Sequence, residues 1–148
     1  LAMGCTTTAM LTIHNMATWM VSSYATVATK TAYGPKLTRG ELLASYCLTE
    51  PNAGSNAAAL ATKAVNTRTE YVLTGNKVFI SGAGETDVLV VMARTGEAGA
   101  NGVSAFVVDA TSEGISFGRK EHKMGWNAQP TRAINFDQVQ VPLDNLLG

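Results

Sequence analysis

From Ala44 onward the chain alternates short β-forming runs with turn residues, and this pattern constrains its fold more than any other feature. Residues 45–48, 70–73, 77–81, 88–93, 103–109 and 133–141 are rich in Val, Ile, Phe, Tyr and Thr, and Gly, Asn or Asp lies between most of them. Strands this short and closely spaced favour an antiparallel barrel or sandwich. A parallel nucleotide-binding sheet needs helices between its strands, and none of these gaps carries a helical pattern. Thr74-Gly75-Asn76 reads as a hairpin turn, because Gly and Asn tolerate positive φ.

The stretch before Ala44 reads differently. Between Thr7 and Tyr24, the residues Ile13, Met16, Ala17, Met20 and Tyr24 recur at three- and four-residue steps, which predicts a helix with that stripe buried. Trp19 belongs to the same apolar helix and is expected in the core, with His14 on or near the helix surface. Pro35 and Gly40 punctuate the next stretch, and Arg39-Gly40-Glu41-Leu42 reads as a turn. The fold class is therefore α+β, a helical segment followed by an antiparallel β-barrel-like domain.

Charge and cysteine content narrow the function classes. Eleven basic and eleven acidic residues cancel, and they form no basic stripe, so a nucleic-acid partner has no electrostatic support. Hydrophobic residues make up 46% and charged residues 15%, the balance of a packed core. No apolar run approaches the ~20 residues of a membrane-spanning helix, so membrane insertion is not expected. Cys5 and Cys47 lack partner spacing and no glycosylation sequon occurs, which favours reduced thiols in an intracellular compartment. His14 and His122 have no acidic or cysteine neighbours at ligand spacing, and no metal site is expected. No Gly-X-Ser-X-Gly elbow is present, and the glycines around Ser81 do not have dinucleotide-fingerprint spacing.

The stretch with most chemical content is Tyr46-Cys47-Leu48-Thr49-Glu50-Pro51-Asn52-Ala53-Gly54-Ser55-Asn56. A strand runs into a turn that holds hydroxyls, a proline and a glycine. Gly54 can aim successive N–H groups at one point, the geometry of an anion nest. Taken alone, such a strand exit is usually only a turn. Glu50, placed before Pro51, reads as an anchor for the loop rather than a base. A second stretch, Gly75-Asn76-Lys77-Val78-Phe79-Ile80-Ser81-Gly82-Ala83, sets an aromatic and a hydroxyl two residues apart. By itself Phe79 would be ordinary core, and burial is also the first reading of Trp126.

Both stretches resemble the acyl-CoA dehydrogenase family. The first is similar to its signature Cys-Leu-Thr-Glu-Pro, two variable residues, then Gly-Ser-Asp, with Asn56 in place of the final Asp. The second is similar to the family's other flavin motif. The resemblance implies FAD as cofactor, held by Tyr46, Cys47, Leu48, Thr49, Glu50, Pro51, Asn52, Ala53, Gly54, Ser55, Phe79, Ile80 and Ser81. Within that set, Thr49 is implied near the flavin pyrimidine ring, Phe79 on the isoalloxazine and Ser81 near N5. Ser55 would touch the cofactor phosphate or the acyl-CoA substrate. Asn56 keeps the size and acceptor oxygen of Asp without its charge.

Lys123 to Arg132 and the Val141-Pro142 run resemble the end of the family's β domain. Gly125-Trp126-Asn127 with Gln129-Pro130-Thr131-Arg132, residues 79–85 and Ile13-His14-Asn15-Met16 are typical of members acting on isobutyryl-CoA, a short branched substrate. The family's architecture then implies that residues 1–43 end an N-terminal helical domain and residues 44–148 form the middle β-barrel domain. A C-terminal helical bundle, with the catalytic Glu, would lie outside this chain, so no residue here is assigned as base. The chain alone is expected to be inactive. Electron-transfer flavoprotein and a homotetrameric assembly are implied by the same resemblance, as is a mitochondrial matrix or bacterial cytoplasmic location. The alternative is a non-catalytic β-barrel binding or assembly module derived from the family.

Overall fold

The computed structural model describes residues 7–148. Cys5 and the start of the expected helical segment lie outside the described residues. The first helix, α1, spans Thr8–Tyr24, and the second, α2, spans Val27–Thr38. Between them Thr26 caps α2, its hydroxyl accepting from the Thr29 N–H at 3.2 Å. The sequence pattern does not reveal α2; Pro35 lies inside it rather than between elements.

Helix α1 is present, but the stripe it buries is His14, Ala17 and Val21. Met16, Trp19 and Tyr24, expected inside, are exposed. The cause is compositional. Apolar side chains occur all round α1, so periodicity alone does not choose a face. The deciding residues are small or polar. Ala17 permits close approach, and buried His14 joins two segments, its Nε2 hydrogen-bonding with Leu37 O at 3.0 Å and its Nδ1 accepting from the Ala44 N–H at 3.1 Å. His14 is thus a core connector and not the surface residue expected. Trp19 instead packs edge-on against Tyr24, with ring centroids 5.5 Å apart.

Eight strands come next: β1 (Ala44–Cys47), β2 (Lys63–Asn66), β3 (Glu70–Ser81), β4 (Val88–Arg94), β5 (Val103–Asp109), β6 (Ile115–Phe117), β7 (Thr131–Pro142) and β8 (Leu146–Leu147). They form one sheet in the order β6-β7-β3-β2-β4-β5-β8, with β1 also beside β4. Most pairings are antiparallel, as expected, but β1 and β2 both run parallel to β4. They share one edge of β4: β1 pairs with Val88 to Val91, and Lys63 of β2 pairs with Arg94. The chain between them therefore has to loop out and return.

The sheet curls around an interior core in which Leu73, Ile80, Leu89, Val91, Phe106, Ile134, Phe136 and Val139 meet. Its other face carries Val88, Val90, Ala105 and Val107, which pack under Ala17, Val21 and Leu37 of the helices. Strand β4 is buried on both faces and reads accordingly as an unbroken apolar run.

The expected hairpin at Thr74-Gly75-Asn76 does not form. Strand β3 continues through it, paired with β7 from Glu70↔Pro142 to Ser81↔Thr131. Gly75 is needed for space rather than for a turn: a Cβ there would lie 2.6 Å from Thr62 Oγ1 and 2.7 Å from Thr62 Cα. No helix among the described residues is long and apolar enough to cross a membrane.

Candidate functional site

The loop that leaves the sheet after β1 and returns at β2 is the segment singled out in the sequence. Its first turn is closed by reciprocal backbone bonds between Glu50 and Ala53, each 3.1 Å, with Pro51 at the position where its fixed φ suits a β-turn. The Glu50 side chain then reaches across the loop. One carboxylate oxygen accepts from the Ala61 N–H at 2.6 Å and the other from the Thr62 N–H at 2.9 Å. From the far side Arg94 donates to the carbonyls of Leu60 and Ala58. Departure and return are thus tied together.

The loop is also tied to β3. Lys77 Nζ donates to Glu50 Oε1 at 2.8 Å and to Leu48 O at 3.0 Å, and the Val78 N–H donates to Thr49 O at 2.9 Å. Immediately beyond, the β3–β7 register slips: Lys77 faces Ile134 but Ile80 faces Arg132, so β3 carries one extra residue. Phe79 sits in that bulge with φ +57°, a left-handed backbone unusual for an aromatic. A regular strand would turn residue 79 to the same side as Lys77. The bulge reverses the phase, so that Ile80 is buried and Phe79 is 66% exposed.

Ser81 completes this end of β3. Its carbonyl accepts from Ser45 Oγ at 2.7 Å, and the next N–H, from Gly82, donates to Pro130 O at 2.8 Å. Pro130 belongs to the loop before β7, which Lys123 organises by donating to Trp126 O, Gln129 O and Thr131 Oγ1. Met124 and Trp126 at its tip are exposed, so the expected burial of Trp126 does not hold. Trp126 also has a left-handed backbone, φ +55°.

The residues singled out therefore divide by side-chain direction. Cys47, Ala53 and Ile80 point into the core, and Glu50 is buried on Lys77. Pro51, Asn52, Gly54, Ser55 and Phe79 are exposed, while Tyr46, Leu48, Thr49 and Ser81 are half-buried. Among the described residues, the hydroxyls of Thr49, Ser55 and Ser81 and the N–H groups of Gly54 and Ser55 have no protein partner. Unused donors and hydroxyls on a loop bonded at Thr49 to the strand that turns Phe79 outward suit a planar, phosphate-bearing cofactor. Lys77 went unnoticed in the sequence. The available signal was a lysine within the strand Lys77-Val78-Phe79-Ile80, which requires a partner if it faces inward.

Electrostatics are set by that burial. Burial works to raise the Glu50 carboxyl, but the Ala61 N–H, Lys77 and the Thr62 N–H outweigh it and hold the group below the usual carboxylate range. Burial lowers Lys77, opposed by Glu50. The Cys47 thiol is pushed up to about 12 by burial, and is a neutral core group.

With this geometry established, comparison with known proteins gives a consistent result. Residues 45–139 match the family model described as acyl-CoA dehydrogenase, middle domain. The chain is 49% identical to mitochondrial isobutyryl-CoA dehydrogenase of Bos taurus, across all of this chain and 36% of that protein. A solved glutaryl-coenzyme A dehydrogenase in complex with glutaryl-CoA superposes with a TM-score of 0.92 at 34% identity, over 97% of this chain and 37% of the other. The FAD complex of PigA superposes at 0.90 with 28% identity, over 94% and 37%. The chain thus spans about a third of the length of these relatives.

Proposed function

The chain belongs to the acyl-CoA dehydrogenase family, and on that premise we propose that it is the flavin-holding part of an FAD-dependent enzyme that oxidises a short branched acyl-CoA, isobutyryl-CoA, to the 2-enoyl-CoA. One observation carries this reading. The loop from Tyr46 to Ser55 and the bulge at Phe79 are far apart in sequence, yet bonds from Lys77 and Val78 to Glu50, Leu48 and Thr49 join them into one surface. The exposed Phe79 ring offers a flat apolar face for the isoalloxazine. Thr49 and Ser81 offer hydroxyls to its edge, while Gly54 and Ser55 offer N–H groups and a hydroxyl to phosphate.

When bound, FAD supplies the acceptor for the β hydrogen and its electron pair. This chain's residues orient that acceptor, and Ser55 borders the acyl-CoA. The base that takes the α proton lies in a helical bundle outside these residues. Residues 1–43 are then the end of a helical domain and residues 44–148 the middle domain. Electron-transfer flavoprotein receives the electrons, and the intact enzyme is a homotetramer. The bovine relative is mitochondrial, which supports the matrix in a eukaryote, with the cytoplasm the counterpart in a bacterium.

The 49% identity to an isobutyryl-CoA dehydrogenase supports the substrate. It is tested by kcat/KM of the full-length enzyme across a panel of short acyl-CoAs with an artificial electron acceptor. Isobutyryl-CoA is expected to lead; a straight-chain substrate in first place would move the specificity elsewhere in the family.

A further inference from the structure

A fully buried lysine needs a reason. Lys77 has no solvent exposure at its side chain, and its ammonium is satisfied by the Glu50 carboxylate and the Leu48 carbonyl. Replacing a buried ion pair with apolar groups is often neutral or stabilising, so stability alone is a weak account of this one. Its position suggests another. Leu48 is one residue before Thr49, and Lys77 is two residues before Phe79. Both segments leave regular pairing at these points, Leu48 where β1 ends and Phe79 in the bulge.

Besides the Lys77 contacts, the Val78 N–H donates to Thr49 O, and three residues before Leu48 the Ser45 hydroxyl donates to Ser81 O. The Ser45 bond lies on β1 before the chain leaves the sheet, so the turn at Leu48 to Glu50 itself is held to β3 by the Val78 bond alone and could swivel about it. The Lys77 contacts add a second and a third point and fix both separation and angle. Glu50 carries the constraint onward to Ala61 and Thr62, where the chain re-enters the sheet.

We propose that Lys77 and Glu50 are positioning residues for the flavin site: their buried pair sets the spacing between the Thr49 loop and the Phe79–Ser81 strand, and so the geometry in which both grip the isoalloxazine. This rests on the flavin reading above. Both side chains are buried, so they act on the site through the segments they join.

The test uses the full-length flavoprotein with K77M, E50Q and the double variant, which removes the pair without stranding a charge. V139A is the control, a wholly buried core residue on β7 opposite Leu73, at the other end of the β3–β7 ladder. FAD dissociation constant, flavin midpoint potential and visible spectrum are measured beside Tm. Loss of an outer-shell partner costs a metal site about 10- to 100-fold in affinity, and by that analogy a loss of about the same size in FAD affinity is expected for each pair variant. A displaced flavin band and a shifted potential should accompany it. The double variant recovers Tm relative to K77M but not FAD affinity, and V139A loses Tm while keeping affinity and potential.

Wild-type affinity and potential in the double variant would overturn the proposal even if K77M failed to fold. So would an equal loss of affinity in V139A, which would mark the pair as ordinary scaffold. A wild-type protein without flavin would overturn both this and the flavin reading, whereas flavin bound normally by the variants would overturn this one alone.

Discussion

At the scale of single residues, backbone conformation and close approach matter more here than side-chain type. Phe79 holds φ +57° where L-residues cost roughly 1–2 kcal/mol. Its ring is largely exposed, so removing it forfeits little core. Phe79→Gly is therefore expected to be more stable than Phe79→Ala by about 1 kcal/mol in urea unfolding, the reverse of the order in a regular strand. Alanine as the more stable of the two would show that the left-handed bulge is not kept. Gly75 answers to both, with φ +152° and no room for a side chain. With Thr62 backbone 2.7 Å from a new Cβ, Gly75→Ala should cost about 1–3 kcal/mol through strand displacement. A neutral effect in the same assay would mean that β2 and β3 approach each other less closely in solution. The Cys47 thiol, neutral and enclosed, should resist alkylation in the folded protein and react only on unfolding.

At the scale of elements, most strands were legible because β-rich runs and their punctuating turn residues mark them directly. What the sequence concealed were the places where one residue serves a distant one. Gly75 resembles a turn glycine until Thr62 is set against it. The buried stripe of α1 could not be phased, since the decisive partners of His14 are the carbonyl of Leu37 and the amide of Ala44. The bulge that turns Phe79 outward shows only in the β7 register, so an aromatic that reads as core stands on the surface. Lys77 and Glu50 lie 27 residues apart, and each looks unremarkable without the other. Their coupling fixes a pH dependence. Glu50 has a folded pKa below its unfolded value of about 4.5, so its contribution is complete above that value and is lost as pH falls through the lowered one. Glu50→Gln should flatten the acid limb of the stability curve and, by stranding a buried ammonium, cost about 3–5 kcal/mol at neutral pH. An unchanged acid limb would assign the dependence to other carboxylates.

At the scale of the whole molecule, two helices cover one face of a curled sheet, and the loop–bulge surface forms where β1 and β2 share the edge of β4. A parallel start beside an otherwise antiparallel sheet forces the Leu48-to-Thr62 excursion, and that excursion carries the family's signature. Fold and signature are therefore linked through connectivity. Family membership was legible from short motifs alone, while the joining of those motifs into one surface required the register of three strands. Whether that surface holds a flavin at the reacting centre is answered by one spectrum: absorbance of the full-length protein before and after isobutyryl-CoA is added in the absence of air. A flavin spectrum that bleaches as the substrate is oxidised is expected; a protein without flavin absorbance would show that this surface holds no flavin.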